Sequence, residues 1–422
     1  MNRFAGRTPL ILFIGAGTLA AFGAEPPVAV PEPSEAALRL YWTGNWVWAF
    51  GQFWAVAVPA ALAFGGYSAR ARDLGLRLTR GRWYPTFAVV LVAVLGLKFA
   101  IDLPWNYYRG YIRPHAYGLS VQTPSRWIGE ELKQLGVTLA VGLIFAWVPF
   151  ALMARSPRRW WLWCALLYVP FLVATLVVKP IAIDPLFNRF GPMRDRALES
   201  RILSLADRAG IEGSRVYEVD KSRDTTMVNA YVTGLFGSRR VVLWDTLLAK
   251  LRPREVLFIM GHEMGHYALG HVARGALLSV VVVLASLGMI DQVGRRVVDR
   301  WGPRLGVEGL ADPASLPIVL ILLQLALLVA TPAISAYSRI QEHEADRFAL
   351  ELTRSNRDGA LAFVKLQGEN LSNPRPGALY VFWRASHPPL GDRIDFCNTY
   401  RPWEMQGRSR YAGYFRPARP RD

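Results

Sequence analysis

Six apolar runs decide most of what this chain can become: residues 46 to 67, 84 to 105, 135 to 154, 160 to 178, 273 to 290 and 316 to 337. A helix needs roughly 20 such residues to cross the ~30 Å hydrocarbon core of a bilayer, and each run is close to that length. Buried helices of an aqueous core are the competing reading, and so many segments of this length argue against it. The pattern predicts a mainly α, polytopic transmembrane protein. A further stretch, Thr8 to Ala24, follows Arg3 and Arg7 and ends in small residues ahead of "EPPVAVPEP". It reads either as a secretory signal peptide or as a first transmembrane helix that stays.

The formal charge is +17. The arginines sit in short segments between apolar runs and form no single basic stripe, so the expected anionic partner is the lipid bilayer and not nucleic acid. Lysine occurs only at 98, 133, 179, 221, 250 and 365, and this preference for arginine fits a GC-rich bacterial genome. Two cysteines, Cys164 and Cys397, cannot build a disulfide framework or a thiolate zinc site. Any metal must be held by histidines and carboxylates. Inside the second run Lys98 and Asp102 form an i, i+4 pair where charge is costly; they either neutralise each other or face a hydrated interior.

The chain divides at these runs. Residues 1–24 are the signal or first anchor, and 25–178 form an N-terminal multi-span membrane domain. Residues 179–400 form a more polar domain interrupted by a transmembrane hairpin at about 273–337, and 401–422 are an Arg/Pro-rich tail expected to be loosely held. Within the third segment, Leu198, Ile202, Leu205 and Ala206 have helical spacing. "NAYVTGLFGSRRVVLW" reads as two short strands around Gly237-Ser238, hence a small β-sheet. Pro253 stands where a first-turn proline opens a helix.

That helix contains "GHEMGHYALGH". His262 and His266 are four residues apart, so both imidazoles project from one face and can chelate a single ion. Glu263 lies beside them, placed to take a proton from water. Zinc suits the set, because it accepts His nitrogen and carboxylate oxygen tetrahedrally and leaves one position for water, whose pKa it lowers. Two histidines merely packed in a helix are the alternative. His271 follows His266 by five residues, which on a continuous helix turns it off the chelating face, so it is expected to support the site and not to ligate. For the remaining ligand the best region is "SRIQEHEADRFAL", 338 to 350. Glu342 can close a two-His-one-Glu site, and Asp346, four residues on, can accept the N–H of a ligating histidine. Glu344 is expected to be solvated, and His343 to pack or lie at the surface.

"GHEMGHYALGH" together with "SRIQEHEADRFAL" resembles the type I CAAX prenyl protease family, integral membrane zinc metallopeptidases. "LPWNYYRGYIRPHAYGLSVQTPSRW", "IDPLFNRFGPM", "VNAYVTGLFGSRRVVLWDTLL" and "SHPPLGDRI" agree in order, over about residues 42 to 400. "IRPHAYG" departs from the family, which commonly has a more acidic version before the aromatic-glycine pair. The resemblance implies a zincin-like fold, a ring of spanning helices around a water-filled chamber, and one zinc ion per chain held by His262, His266 and Glu342, with Glu263 as general base. It also implies that Asn229, Ala230 and Tyr231 lie on the strand edge that pairs with an extended substrate, and that His387 faces the metal and steadies the oxyanion.

The expected function is therefore a membrane zinc metalloendopeptidase acting on a peptide or protein substrate, membrane-associated or lipidated. One alternative is a bacterial quality-control protease with no prenyl requirement; another is a non-catalytic scaffold or transporter with a relic metal site, against which the intact Glu263 speaks. Arg3, Arg7, Arg70, Arg72, Arg77, Arg80, Arg82, Arg155, Arg158, Arg159, Arg295, Arg296, Arg300 and Arg304 fall on one side of the membrane. Basic loops stay in the cytoplasm, so in a bacterial inner membrane the catalytic segment is expected to face the periplasm.

Overall fold

The computed structural model describes residues 26–211, 215–233, 240–404 and 409–417; the expected signal or anchor at 1–24 lies outside the described residues. Among them, six helices are long and apolar enough to cross a membrane: Glu35–Phe64, Trp83–Ala116, Pro124–Arg155, Trp160–Phe187, His271–Leu305 and Pro313–Thr353. Each carries one of the apolar runs and extends past it at one end or both, although the first helix stops at Phe64, three residues short of the end of its run, where Gly65 and Gly66 break it. The third begins at Pro124, where the Thr123 side chain accepts from Arg126 N–H and caps the first turn. Five-residue π-helical stretches at Tyr108–Ile112, Gly142–Ala146 and Lys179–Ile183 keep three of these helices continuous.

The spans bury little of themselves against one another, only 6 % of the apolar window in Trp160–Phe187 and 11 % in His271–Leu305. Polar side chains nevertheless meet between them. Lys98 pairs with Asp102, whose Oδ1 accepts from Trp54 Nε1 at 3.0 Å, and Gln324 donates to Gln52 at 2.8 Å. The mid-span charges are thus neutralised by pairing, the cheaper arrangement for charge at membrane depth.

The polar segment folds around a four-stranded sheet of order β1 (Phe190–Pro192), β2 (Arg215–Val219), β4 (Arg240–Trp244) and β3 (Ala230–Thr233). β2 and β4 run parallel, while β1 and β3 are antiparallel to their neighbours. Val241, Val242 and Leu243 of the central strand are fully buried, as its run of β-branched residues requires. β3 is an edge. Leu198, Ile202, Leu205 and Ala206 of the Arg196–Arg208 helix pack into the same core, as their spacing predicts.

The helix Pro253–Ala268 crosses this core with proline at its first position, and Glu255 holds its N-terminus by accepting from Arg252 N–H at 2.6 Å. It stops at Gly270, whose φ of +68° no L side chain adopts easily, and a new helix starts at His271. The second arm of the hairpin does not end with its apolar run. Leu316–Thr353 is one unbroken helix of 38 residues, so the segment carrying Glu342 and Asp346 is the direct continuation of a span. The tail also differs from expectation: Tyr411 is buried, and the N–H groups of Arg410 and Tyr411 donate to the buried carboxylate of Glu351 at 3.0 and 2.7 Å.

Candidate active site

Pro253–Ala268 lies against the far end of Leu316–Thr353 because both present small residues at the crossing. A Cβ placed on Gly261 would lie 3.5 Å from Ala349 Cα, and one on Gly265 only 3.2 Å from Ala345 Cα. Glycines four residues apart face alanines four residues apart, so the two backbones approach closely. The sequence reading did not use this pairing, although the spacing was there to be read.

The close approach brings His262, His266 and Glu342 together, with one potential ligand atom from each within 4.8 Å of the others. The two Nε2 atoms lie 3.2 Å apart, and Glu342 Oε2 is 3.2 Å from His262 Nε2. That distance is short enough for an ion pair, yet Oε2 is buried with no hydrogen bond of acceptable geometry. A buried carboxylate oxygen without a hydrogen bond costs free energy. The other oxygen, Oε1, lies 3.3 Å from His266 Nε2, so the carboxylate meets both imidazoles, and two nitrogens with one carboxylate are a donor set that zinc accepts. The residues present therefore fit a metal ion.

Each histidine is oriented from behind. His262 Nδ1 lies 2.8 Å from Asp346 Oδ1, so an N–H is held on Nδ1 and the neutral ring turns its Nε2 lone pair to the site. Asp346 is itself clamped by Arg393, whose Nε and Nη2 donate at 2.8 and 2.6 Å. This arginine is buried and stacks on Phe363, its Cζ 4.1 Å from the ring centroid. Sequence reasoning missed it, although "SHPPLGDRI" contains it. His266 Nδ1 lies 2.8 Å from His271 Nδ1, and His271 Nε2 is 3.3 Å from Glu344. With His266 donating from Nδ1, His271 receives there and donates onward from Nε2. The turn at Gly270, and not the helical wheel, sets this position, so His271 stands behind His266. Glu344, expected in solvent, is enclosed by His271, Arg274 and Arg410. His343 packs on Phe396, with ring centroids 4.4 Å apart.

Glu263 lines a cleft of about 390 Å³ that reaches His262, with Asn229, Ala230 and His387 among the other walls. Burial raises its carboxyl above the ordinary value, while the two neighbouring histidines and the Val232 N–H pull it back. His387 Nε2 is 3.2 Å from Glu342 Oε1, and Ser386 Oγ meets its Nδ1 at 2.8 Å. Desolvation and the nearby Arg393 hold this imidazole below its ordinary value against the pull of Glu342, so it is neutral near pH 7.

On β3, Asn229 C=O accepts from Trp244 N–H at 3.1 Å and so faces β4; by alternation Ala230 and Val232 turn their main-chain groups outward. Asn229 Oδ1 accepts from Ala230 N–H at 2.8 Å. Asn370 braces the approach to the strand, accepting from Val228 N–H at 3.1 Å. Tyr231 is not among the residues lining the cleft; burial, with Asp184 nearby, pushes its phenol up to about 12.

Comparison with known proteins agrees with this arrangement. Residues 192–400 match the model of Peptidase family M48, and residues 43–189 match that of the CAAX prenyl protease N-terminal region, described as five membrane helices. The described residues supply four spans to that second match. The uncharacterized metalloprotease YhfN of Bacillus subtilis is 38 % identical over 313 residues, covering 74 % of this chain and 73 % of the relative. CAAX prenyl protease 1 of Saccharomyces cerevisiae is 29 % identical over 315 residues, covering 71 % and 69 %. The crystal structure of S. mikatae Ste24p shares the fold with a TM-score of 0.68 at 24 % identity, over 78 % of this chain and 80 % of that one.

Proposed function

Since this chain belongs to peptidase family M48 and is an integral membrane metalloendopeptidase, we propose that His262, His266 and Glu342 hold one zinc ion, that Glu263 is the general base, and that the substrate is a peptide presented in extended form along β3. The observation that carries this reading is the convergence of the buried Glu342 carboxylate on two imidazoles, Oε2 3.2 Å from His262 Nε2 and Oε1 3.3 Å from His266 Nε2. When bound, zinc supplies Lewis acidity that acidifies water and polarises a carbonyl. Asp346 and Arg393 hold His262 in the ligating tautomer, and His271 does so for His266. The unpaired edge of β3 offers the Ala230 and Val232 carbonyls to a peptide backbone, their N–H groups being held by Asn229 Oδ1 and Glu263, and such binding asks little of substrate side chains. Glu263, its basicity raised by burial, takes the proton of the attacking water and returns it to the leaving amine. Neutral His387 donates a hydrogen bond from Nε2 to the oxyanion as charge develops there.

The hairpin supports an orientation. A 35-residue helix is about 52 Å long, so the His271–Leu305 helix separates the metal end from its tip by more than a bilayer core. At the tip the basic loops gather: Arg72 pairs with Asp312 and donates to Gly306 C=O, and Arg295 reaches Pro157 C=O. Basic loops belong in the cytoplasm, which supports a periplasmic cleft in a bacterial inner membrane.

Several relatives are named for prenylated substrates. Backbone recognition at β3 is open to prenylated and unprenylated peptides alike, so the second reading, quality control of membrane or exported proteins with no prenyl requirement, is separated from the first by experiment. Full-length protein assayed on prenylated and unprenylated forms of one peptide, with Glu263→Gln as control, separates the two. Cleavage of both forms at similar rates supports the second reading, and cleavage by the Glu263→Gln protein would overturn the assignment of the base.

A further inference from the structure

Ahead of the first span, residues 26–33 read "PPVAVPEP", and proline at four of these eight positions favours an extended chain with few main-chain donors. The segment is neither helix nor strand, yet it is firmly seated. It lies across two helices of the peptidase domain, Asn356–Glu369 and Leu390–Thr399. One side-chain amide reads both main-chain groups of Val28, whose N–H donates to Asn398 Oδ1 at 3.0 Å and whose C=O accepts from Asn398 Nδ2 at 2.9 Å. On the other helix, buried Gln367 donates to Pro31 C=O at 2.9 Å, and Arg357 donates to Pro26 C=O at 3.1 Å. The spacing matches. Five residues of extended chain cover about 15 Å at ~3.1 Å each, and the ten helical residues from Arg357 to Gln367 rise by about 15 Å. Val28 and Val30 pack against the core that contains Phe363, Ile394 and Cys397. The segment precedes residue 43, where the matched regions begin.

Both helices that it joins are walls of the catalytic cleft. Phe363 and Leu366 of the first and Leu390 and Arg393 of the second line it, with Asn370 at the end of the first. Arg393 clamps Asp346 behind His262, and Asn370 accepts from Val228 N–H ahead of β3. Asn398 shares a helix with Arg393, and Gln367 stands one turn before Asn370. The anchors of the segment are therefore rigidly linked to the two groups that orient a metal-ligating histidine and brace the edge strand. We propose that residues 26–33 are a positioning strap for the cleft: laid along the first helix and fastened to the second, the segment holds Arg393 on Asp346 and Asn370 on Val228, and so tightens the binding of both zinc and peptide. The strap's role rests on the metallopeptidase reading, and the two are tested so that they fail separately.

Residues 26–33 are replaced by a Gly/Ser segment of equal length in full-length protein in nanodiscs, which keeps the spacing and removes Val28, Val30 and the prolines. Zinc affinity, read by chelator competition, is expected to fall about three- to tenfold, and the affinity of the Glu263→Gln form for a peptide that the unaltered protein cleaves is expected to fall by a similar factor. Asn398→Ala removes both bonds to Val28; it should reproduce part of each loss and add nothing once the strap has been replaced. Arg72→Gln, at the far end of the hairpin, is the control for lost stability alone, expected to lower the unfolding temperature with both affinities unchanged. Unchanged affinities in the strap-replaced protein, or in Asn398→Ala should that protein fail to fold, overturn the strap. An Asn398→Ala loss of equal size with and without the strap also overturns it, as do matching losses in Arg72→Gln. Zinc binding is read without turnover, so hydrolysis by protein with Glu263 intact is scored independently and tests the peptidase reading alone.

Discussion

Gly265 faces Ala345 so closely that a single methyl on the glycine would sit 3.2 Å from the alanine Cα. The contact sets the distance between the helix that carries His262 and His266 and the helix that carries Glu342. Gly265→Ala is therefore expected to cost about 1 to 3 kcal/mol of stability through overpacking. It should also weaken zinc binding by pushing Glu342 outward. Thermal unfolding and a zinc competition titration measure the two effects; an alanine variant with unchanged zinc affinity would show that the glycine does not set the ligand spacing.

Ligands and supports should separate in their metal content. Glu342→Ala is expected to lose most of the one zinc per chain, because no other carboxylate replaces it in the set. His271→Ala and Asp346→Asn should keep zinc but bind it about 10- to 100-fold more weakly, as expected when the group orienting a ligand is removed. Elemental analysis after dialysis against graded chelator distinguishes the two classes, and equal loss in Glu342→Ala and His271→Ala would overturn the ligand assignment.

Removing the base should leave the metal in place. Glu263→Gln keeps the size of the side chain and its place in the cleft but cannot take a proton, so turnover is expected to fall by about 10²- to 10⁴-fold with zinc content unchanged. A peptide assay on zinc-quantified protein reads both. Activity within a few fold of the parent would remove Glu263 from the mechanism.

Zinc uptake should be strongly pH-dependent. Burial opposes charge on His262, but the Asp346 and Glu342 carboxylates outweigh it and push the imidazole up to about 10. Metal needs the neutral ring, so binding releases a proton and the apparent affinity rises about tenfold per pH unit until that value is passed. In zinc-free protein the sign is opposite: the stability contributed by charged His262 is fully present below its unfolded value of about 6.5 and fades as pH rises toward 10. Chelator competition at pH 6, 7 and 8 checks the slope. A flat line would mean that His262 binds metal without giving up a proton.

Orientation is open to a direct test. The segment after Arg401 is not free throughout, since Arg410 and Tyr411 are tied to Glu351. A reporter therefore belongs after Asp422, where it does not break those bonds. In a bacterial host a reporter active only in the periplasm should give signal there, and signal from a cytoplasm-only reporter instead would reverse the assignment.

The apolar runs and the local spacing of His262, Glu263 and His266 were legible because hydrophobic length and helical periodicity are properties of consecutive residues. Glu342 was within reach for the same reason, once a second acidic residue four positions away gave it a helical face. Arg393 was not, since a buried arginine is recognisable only by the carboxylate it clamps, and Asp346 lies on another helix. His271 shows the limit of helical arithmetic: its place depends on one left-handed glycine that ends the helix before it.

The metal-ligand set is divided by the hairpin between residues 271 and 341, both arms of which must enter the bilayer before Glu342 can reach His262. During synthesis the emerging chain holds only the two-histidine half, too weak to retain zinc in a productive geometry. Assembly of the catalytic centre is thus timed by membrane insertion. A copy that misses its membrane is therefore expected to stay proteolytically silent.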